Sequence, residues 1–232
     1  MDLARDLVVF DCDGVLVDSE RLTVEVEARM LTEMGWPITV DEVVQRFVGG
    51  SSDAMLEEIE RHLGPEQTAE FDRRSTEEIV AAFHADLQPV EGVRDVVHAL
   101  HQHDVPTCIA SSGSHRKMEL TLGLTGLRPL FEGRIYSASE VARGKPWPDL
   151  FVYAARSMGA EPSRCAVIED SIYGARAAIA AGMICYGFAG SLTRRADLEA
   201  TGATVFDTMA ELRSLLLGTG CADAVHEAET RS

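Results

Sequence analysis

The chain has 232 residues, 46% hydrophobic and 25% charged, globular proportions that exclude a disordered, collagen-like or coiled-coil protein. Its formal net charge of −17 argues against a sequence-independent grip on nucleic acid or on an anionic membrane. No apolar run approaches the ~18 residues needed to span a bilayer, and the N-terminus lacks the basic start and cleavage site of a secretory signal, so a cytoplasmic protein is expected.

Leu7 to Phe10 is a short β-branched and aromatic run broken by Asp11-Cys12-Asp13-Gly14, which reads as a buried parallel strand ending in a polar loop. Arg21 to Met34 carries Leu22, Val26, Met30 and Met34 at helical spacing and is stopped by Gly35 and Pro37. Further helices are predicted over Asp41 to Phe47, Asp53 to His62 and Glu66 to Leu87, with no convincing strand between residues 19 and 87. The pattern then alternates. Helices are predicted over Val93 to His103, Arg116 to Leu122, Asp149 to Met158, Ser171 to Ala181 and Met209 to Leu217. Between them fall strands at Pro106 to Ala110, Arg134 to Tyr136, Cys165 to Ile168, Ile184 to Gly187 and residues 203–206. Strands separated by helices of this length imply crossovers and a parallel sheet covered on both faces. The expected fold is therefore α/β: a Rossmann-like, doubly wound parallel sheet formed by residues 1–18 and 90–217, interrupted by an all-α insert at 19–89, with a flexible tail at 218–232. The five cysteines are scattered, odd in number and without CxxC spacing, and are expected to be reduced and mostly buried.

Ligands of an open parallel sheet bind beyond the carboxyl ends of its strands. There the sequence places Asp11 and Asp13 after the first strand, Ser111 and Ser112 after the second, Lys145 in the next loop, and Glu169 and Asp170 after the Cys165 strand. Lys145 is one of only two lysines, the other being Lys117. Carboxylates ~4 Å apart repel by ~4 kcal/mol per pair even at an effective dielectric of ~20. A hard divalent cation removes that conflict, and Mg²⁺ suits carboxylate, carbonyl and phosphate oxygens. The collection points to phosphoryl transfer through an aspartate nucleophile.

Asp11-Cys12-Asp13-Gly14-Val15-Leu16-Val17-Asp18-Ser19-Glu20 resembles the first signature of the haloacid dehalogenase superfamily. Ser111 after an apolar strand resembles the second, Lys145 in Gly-Lys-Pro-Trp-Pro-Asp the third, and Glu169-Asp170-Ser171 the fourth. The insert is similar to the helical cap of the β-phosphoglucomutase-like branch, which includes many sugar phosphatases. The resemblance implies that Asp11 attacks phosphorus and that Asp13 serves as general acid and then base. It implies that Asp11, Asp13 (through its backbone carbonyl), Asp170 and Glu169 (directly or through water) hold Mg²⁺, and that Ser111, Ser112 and Lys145 bind phosphoryl oxygens. The Asp13 side chain is then expected to point away from the metal.

The function expected is a Mg²⁺-dependent phosphatase hydrolysing a small phosphorylated metabolite, a sugar phosphate or sugar-acid phosphate, through an aspartyl phosphate. The protein is expected to be a monomer or weak dimer, with no nucleic-acid or membrane partner. Two alternatives stay open, a phosphosugar mutase and a phospho-acceptor signalling domain. Against the mutase, the cap loop Phe47 to Asp53 carries no cation to hold a second phosphate, although Arg46 stands just before it, and Thr23 falls near where mutase relatives carry a histidine. Gly49, Gly50, Ser51 and Ser52 of that loop are candidate substrate contacts through hydrogen bonds to sugar hydroxyls. The insert lacks lysine altogether, which argues against the Schiff-base chemistry of phosphonate hydrolases. Asp149 reads as a helix-start residue, and His98, His101 and His103 as a cationic helix end rather than a metal tract.

Overall fold

The computed structural model describes residues 6–48 and 52–218. Six strands, β1 (Leu7–Phe10), β2 (Thr107–Ser111), β3 (Ile135–Ser137), β4 (Cys165–Glu169), β5 (Ile184–Phe188) and β6 (Thr204–Phe206), form one sheet in the order β3-β2-β1-β4-β5-β6. Every pairing is parallel. This is the expected doubly wound α/β sheet.

Alternation along each strand divides the core into two layers, because successive side chains point to opposite faces. Val8 and Phe10 of β1, Ile109 of β2 and Ala166 and Ile168 of β4 face one cluster. Leu7 and Val9, Cys108 and Ala110, and Cys165 and Val167 face the other. The first layer is closed by α5 (Val93–Gln102), α6 (His115–Leu124) and α10 (Met209–Leu217), through side chains such as Val97, Met118 and Leu212. The second is closed by α7 (Asp149–Ser157), α8 (Ile172–Ala180) and α9 (Arg195–Glu199), through Phe151, Ala178 and Leu198. Burying each large apolar side chain contributes ~1.5–3 kcal/mol, which is why strands this short suffice. Cys12, Cys108, Cys165 and Cys185 are buried free thiols, as expected.

Between β1 and α5 run four helices: α1 (Ser19–Glu33), α2 (Val40–Phe47), α3 (Ser52–Leu63) and α4 (Pro65–Asp86). They share a separate apolar cluster that includes Val26, Met30, Leu31, Val43, Ile59 and Phe71. Leu22, Phe83 and Leu87 instead join the sheet's first layer. The chain leaves and re-enters at one place. The Asp18 amide donates to the Gln88 carbonyl at 3.0 Å and the Val90 amide to the Leu16 carbonyl at 3.0 Å. No helix among the described residues is long and apolar enough to cross a membrane.

Two differences from the sequence reading matter. Helix α9 was not expected; only Leu198 of its residues is buried, too little to give a periodic signal. Strands β2 and β4 run one residue further than read, into Ser111 and Glu169, so both site residues sit in the ladder itself. Apart from Gly218, the expected tail lies outside the described residues.

Candidate active site

Strand β1 lies between β2 and β4, so the chain crosses to one side of it and then to the other. A crevice at such a reversal is where open α/β sheets bind ligands. The Asp11 amide donates to the Ile168 carbonyl at 2.9 Å, fixing Asp11 at the crevice floor, 7% exposed. The chain then turns at Gly14, whose φ is +74°, a region that side chains disfavour. A Cβ there would also stand 2.0 Å from Asp170 Oδ2.

Asp11, Glu169 and Asp170 are buried and bring one carboxylate oxygen each within 4.8 Å of the others. Lys145 answers part of that charge, its ammonium 3.0 Å from Asp11 Oδ1 and 2.5 Å from Glu169 Oε1. Glu169 is otherwise occupied, its Oε2 accepting from the Ser171 amide at 2.8 Å and hydroxyl at 2.9 Å. Asp170 Oδ2 is buried without any hydrogen bond, and Asp11 Oδ1 has only the Lys145 ammonium and no well-directed hydrogen bond. Burial pushes the carboxyls of Asp11 and Asp170 upward, and neighbouring carboxylates push the same way. Burial works against the Lys145 charge too, but Asp11 and Glu169 outweigh it and raise that ammonium's pKa. Hard oxygen donors, crowded together with one left orphaned, fit a divalent cation such as Mg²⁺. Asp11 and Asp170 are the two best placed to ligate it directly. Glu169, also in this cluster, holds Lys145 and the start of α8.

Asp13 turns elsewhere. Its Oδ1 accepts from the Ser19 hydroxyl at 2.5 Å, and its Oδ2 pairs with the Lys117 ammonium at 2.9 Å. Its carboxylate is not one of the three that cluster. Ser111 is buried at the end of β2 and accepts from the Gly113 amide at 3.2 Å, while Ser112 beside it is exposed. Both face, with Lys145, a cavity of about 960 Å³ over Asp11, Asp13 and Asp170. Six of the seven core residues singled out in the sequence thus line one crevice, and the seventh, Glu169, is buried behind it and reached through Lys145.

Gly49, Gly50 and Ser51 lie outside the described residues, and Ser52 only marks the start of α3. Arg46 is engaged with Glu58 at 2.8 Å and does not line the cavity. Asp149 opens α7 and pairs with Arg143 at 2.9 Å, the helix-start role expected of it. His101 contacts Thr107 and His103 the Ala99 carbonyl, each within its own neighbourhood. The sequence reading missed Ser19, Glu20 and Lys117. Lys117 carried a signal in being one of two lysines, and it stands on α6 three residues after Ser114, whose hydroxyl caps that helix.

A family model for haloacid dehalogenase-like hydrolases matches residues 5–182. The chain is 30% identical over 186 residues to the 6-phosphogluconate phosphatase of Escherichia coli (strain K12), covering 79% of this chain and 82% of that protein. It is 33% identical over 203 residues to the validoxylamine A 7'-phosphate phosphatase of Streptomyces hygroscopicus subsp. limoneus, covering 84% and 88% respectively. The crystal structure of a HAD family hydrolase from Deinococcus radiodurans R1, with bound phosphate and sodium, is similar with a TM-score of 0.82 and 33% identity, covering 93% of this chain and 96% of that one. The family match spans all four of these stretches and most of the chain, and the protein belongs to the haloacid dehalogenase-like hydrolases.

Proposed function

We propose that the protein is a Mg²⁺-dependent phosphatase of small phosphorylated metabolites, a sugar phosphate or sugar-acid phosphate, working through an aspartyl phosphate on Asp11. The observation that carries the reading is the meeting of Asp11, Asp13, Ser111, Lys145 and Asp170 in one crevice. Both relatives compared above are named as phosphatases of a phosphorylated sugar acid or sugar-like compound.

The chemistry follows from the placement. Ser111, Ser112 and Lys145 hold the phosphoryl oxygens. An Asp11 oxygen forms a bond to phosphorus while the bond to the leaving oxygen breaks, and Asp13 gives that oxygen its proton. Asp13 then takes a proton from water as the water oxygen attacks phosphorus and frees the Asp11 carboxylate. Mg²⁺, held by Asp11, Asp170 and the Asp13 backbone carbonyl, would neutralise charge on the transferring group. Residues 19–89 act as a cap that shields the crevice from bulk water and recognises the rest of the substrate. A mutase needs cap cations for a second phosphate, and Arg46, the nearest candidate, is committed to Glu58.

The test is Asp11→Asn. The variant should fold as the wild type does, by circular dichroism, and lose turnover on a panel of phosphorylated metabolites by more than about a hundredfold. A smaller loss would exclude covalent catalysis by Asp11. Isomer formation assayed in the same reactions separates a mutase from a phosphatase.

A further inference from the structure

A second cavity, of about 210 Å³, shares Asp13 and Glu20 with the main one and is lined further by Thr23, Glu27, Phe47 and Lys117. Glu20, Thr23 and Glu27 follow one another along α1 at intervals that put them on one helix face. Ionic partners are unevenly distributed among them. The Lys117 ammonium is paired with Asp13. Glu27 has no hydrogen bond or ion pair among the described residues, and burial alone, with no donor to offset it, pushes its carboxyl up to about 7. Glu20 faces the carboxylates of Asp13 and Asp11, and burial raises its carboxyl as well.

The proton donor fixes where a substrate must lie. The leaving oxygen sits against Asp13, so the group bonded to that oxygen occupies the space adjoining Asp13. We infer that Glu20, Thr23 and Glu27 form the leaving-group subsite and select a neutral or ammonium-bearing polyol over one bearing a carboxylate or a second phosphate. This rests on the phosphatase reading and narrows it. A hydroxyl or ammonium supplies the donor that Glu27 lacks. A second anion would meet two acidic side chains, and Lys117, the cation lining this cavity among the described residues, is already paired with Asp13. The preference runs opposite to the substrate in the name of the Escherichia coli relative.

The test is a charge series of one size: glucitol 6-phosphate, glucosamine 6-phosphate and 6-phosphogluconate, assayed with the full chain and Mg²⁺. The wild type should favour the first two over 6-phosphogluconate by about tenfold or more in kcat/KM. Glu27→Gln should shrink that ratio several-fold, chiefly by lowering KM for 6-phosphogluconate. Equal or better turnover of 6-phosphogluconate by the wild type would overturn the inference, whatever the variant does. So would a ratio that Glu27→Gln, shown to be folded, leaves unmoved. Hydrolysis of an aryl phosphate with none of the three sugar compounds turned over would overturn the subsite and leave the phosphatase reading standing. Failure to hydrolyse any phosphomonoester would overturn both.

Discussion

Glu27 carries a cost in stability as well as a selectivity. Its ordinary value is 4.5 and its folded value about 7, raised by burial. Below about pH 4 the folded and unfolded chains both hold the proton, so the group contributes nothing. As pH rises, the unfolded chain releases the proton first, and stability falls until the folded group also ionises near 7 and the loss levels off. At ~1.4 kcal/mol per pKa unit, the penalty is bounded at about 3 kcal/mol. Glu27→Gln should therefore stabilise the protein by about 1–3 kcal/mol at pH 8 and hardly at all at pH 4, read by urea denaturation at both. Equal effects at the two pH values would mean that the carboxyl is not desolvated. Glu27 did not stand out in the sequence, where a polar residue on an amphipathic helix reads as solvated, and Glu20 stood only as the end of the first signature, with no role of its own. Asp11, Ser111 and Asp170 did stand out, because each follows an apolar strand and its place depends on local chain direction alone. The partnership of Lys117 with Asp13 depends on which face of α6 meets the loop after β1, and local pattern does not specify that.

At the scale of elements, the start of α8 joins catalysis to helix formation. The Ser171 hydroxyl accepts from the Gly174 amide at 3.0 Å, capping the helix, and donates to Glu169 Oε2 at 2.9 Å. Glu169 in turn holds Lys145. Gly174 leaves room for this, since a Cβ there would stand 1.7 Å from Glu169 Oε1. Loss of an N-cap hydroxyl costs ~1 kcal/mol. Ser171→Ala should lower stability by about that much and also raise the KM for phosphorylated substrates through a looser Lys145. A variant with the stability loss but an unchanged KM would show that the Glu169 link is incidental. Elements of this kind were legible where apolar spacing was strong, as in β1 and α10, whose ends were read correctly. Edges shifted by a residue or two where strand and loop share small residues, as at Ala110-Ser111-Ser112. Helix α9 escaped notice because its cohesion rests on a single buried leucine.

Across the whole molecule, negative charge gathers at one buried point. Asp11, Glu169 and Asp170 crowd together within a chain of net charge −17. A cation that binds only the folded state stabilises it by ~2.7 kcal/mol at a hundredfold excess over its dissociation constant. Mg²⁺ should accordingly raise Tm by about 5 °C or more, reversibly on adding EDTA. Asp170→Asn should abolish most of that shift, and a full shift in the variant would place the ion elsewhere. The layered sheet and its helical insert were readable from the alternation of strands and helices. The packing of α1 against the core was not, because it depends on the long-range packing that gathers Leu22, Phe83 and the sheet's residues into one cluster.

The two connections that join residues 16–18 to 88–90 by hydrogen bonds have a further consequence. Because the insert departs and returns at one point, its removal would leave ends already held together, and closing so short a gap costs little chain entropy. The sheet meets the insert at this neck and through Leu22, Phe83 and Leu87, which lie in its first layer. On the proposed reading, in which the insert recognises the substrate, substrate choice should be separable from the phosphoryl chemistry. A segment spanning 19–88 transplanted from a relative of different preference, with Ser19 and the core-facing Leu22, Phe83 and Leu87 retained, should carry that preference with it as an exchangeable cassette.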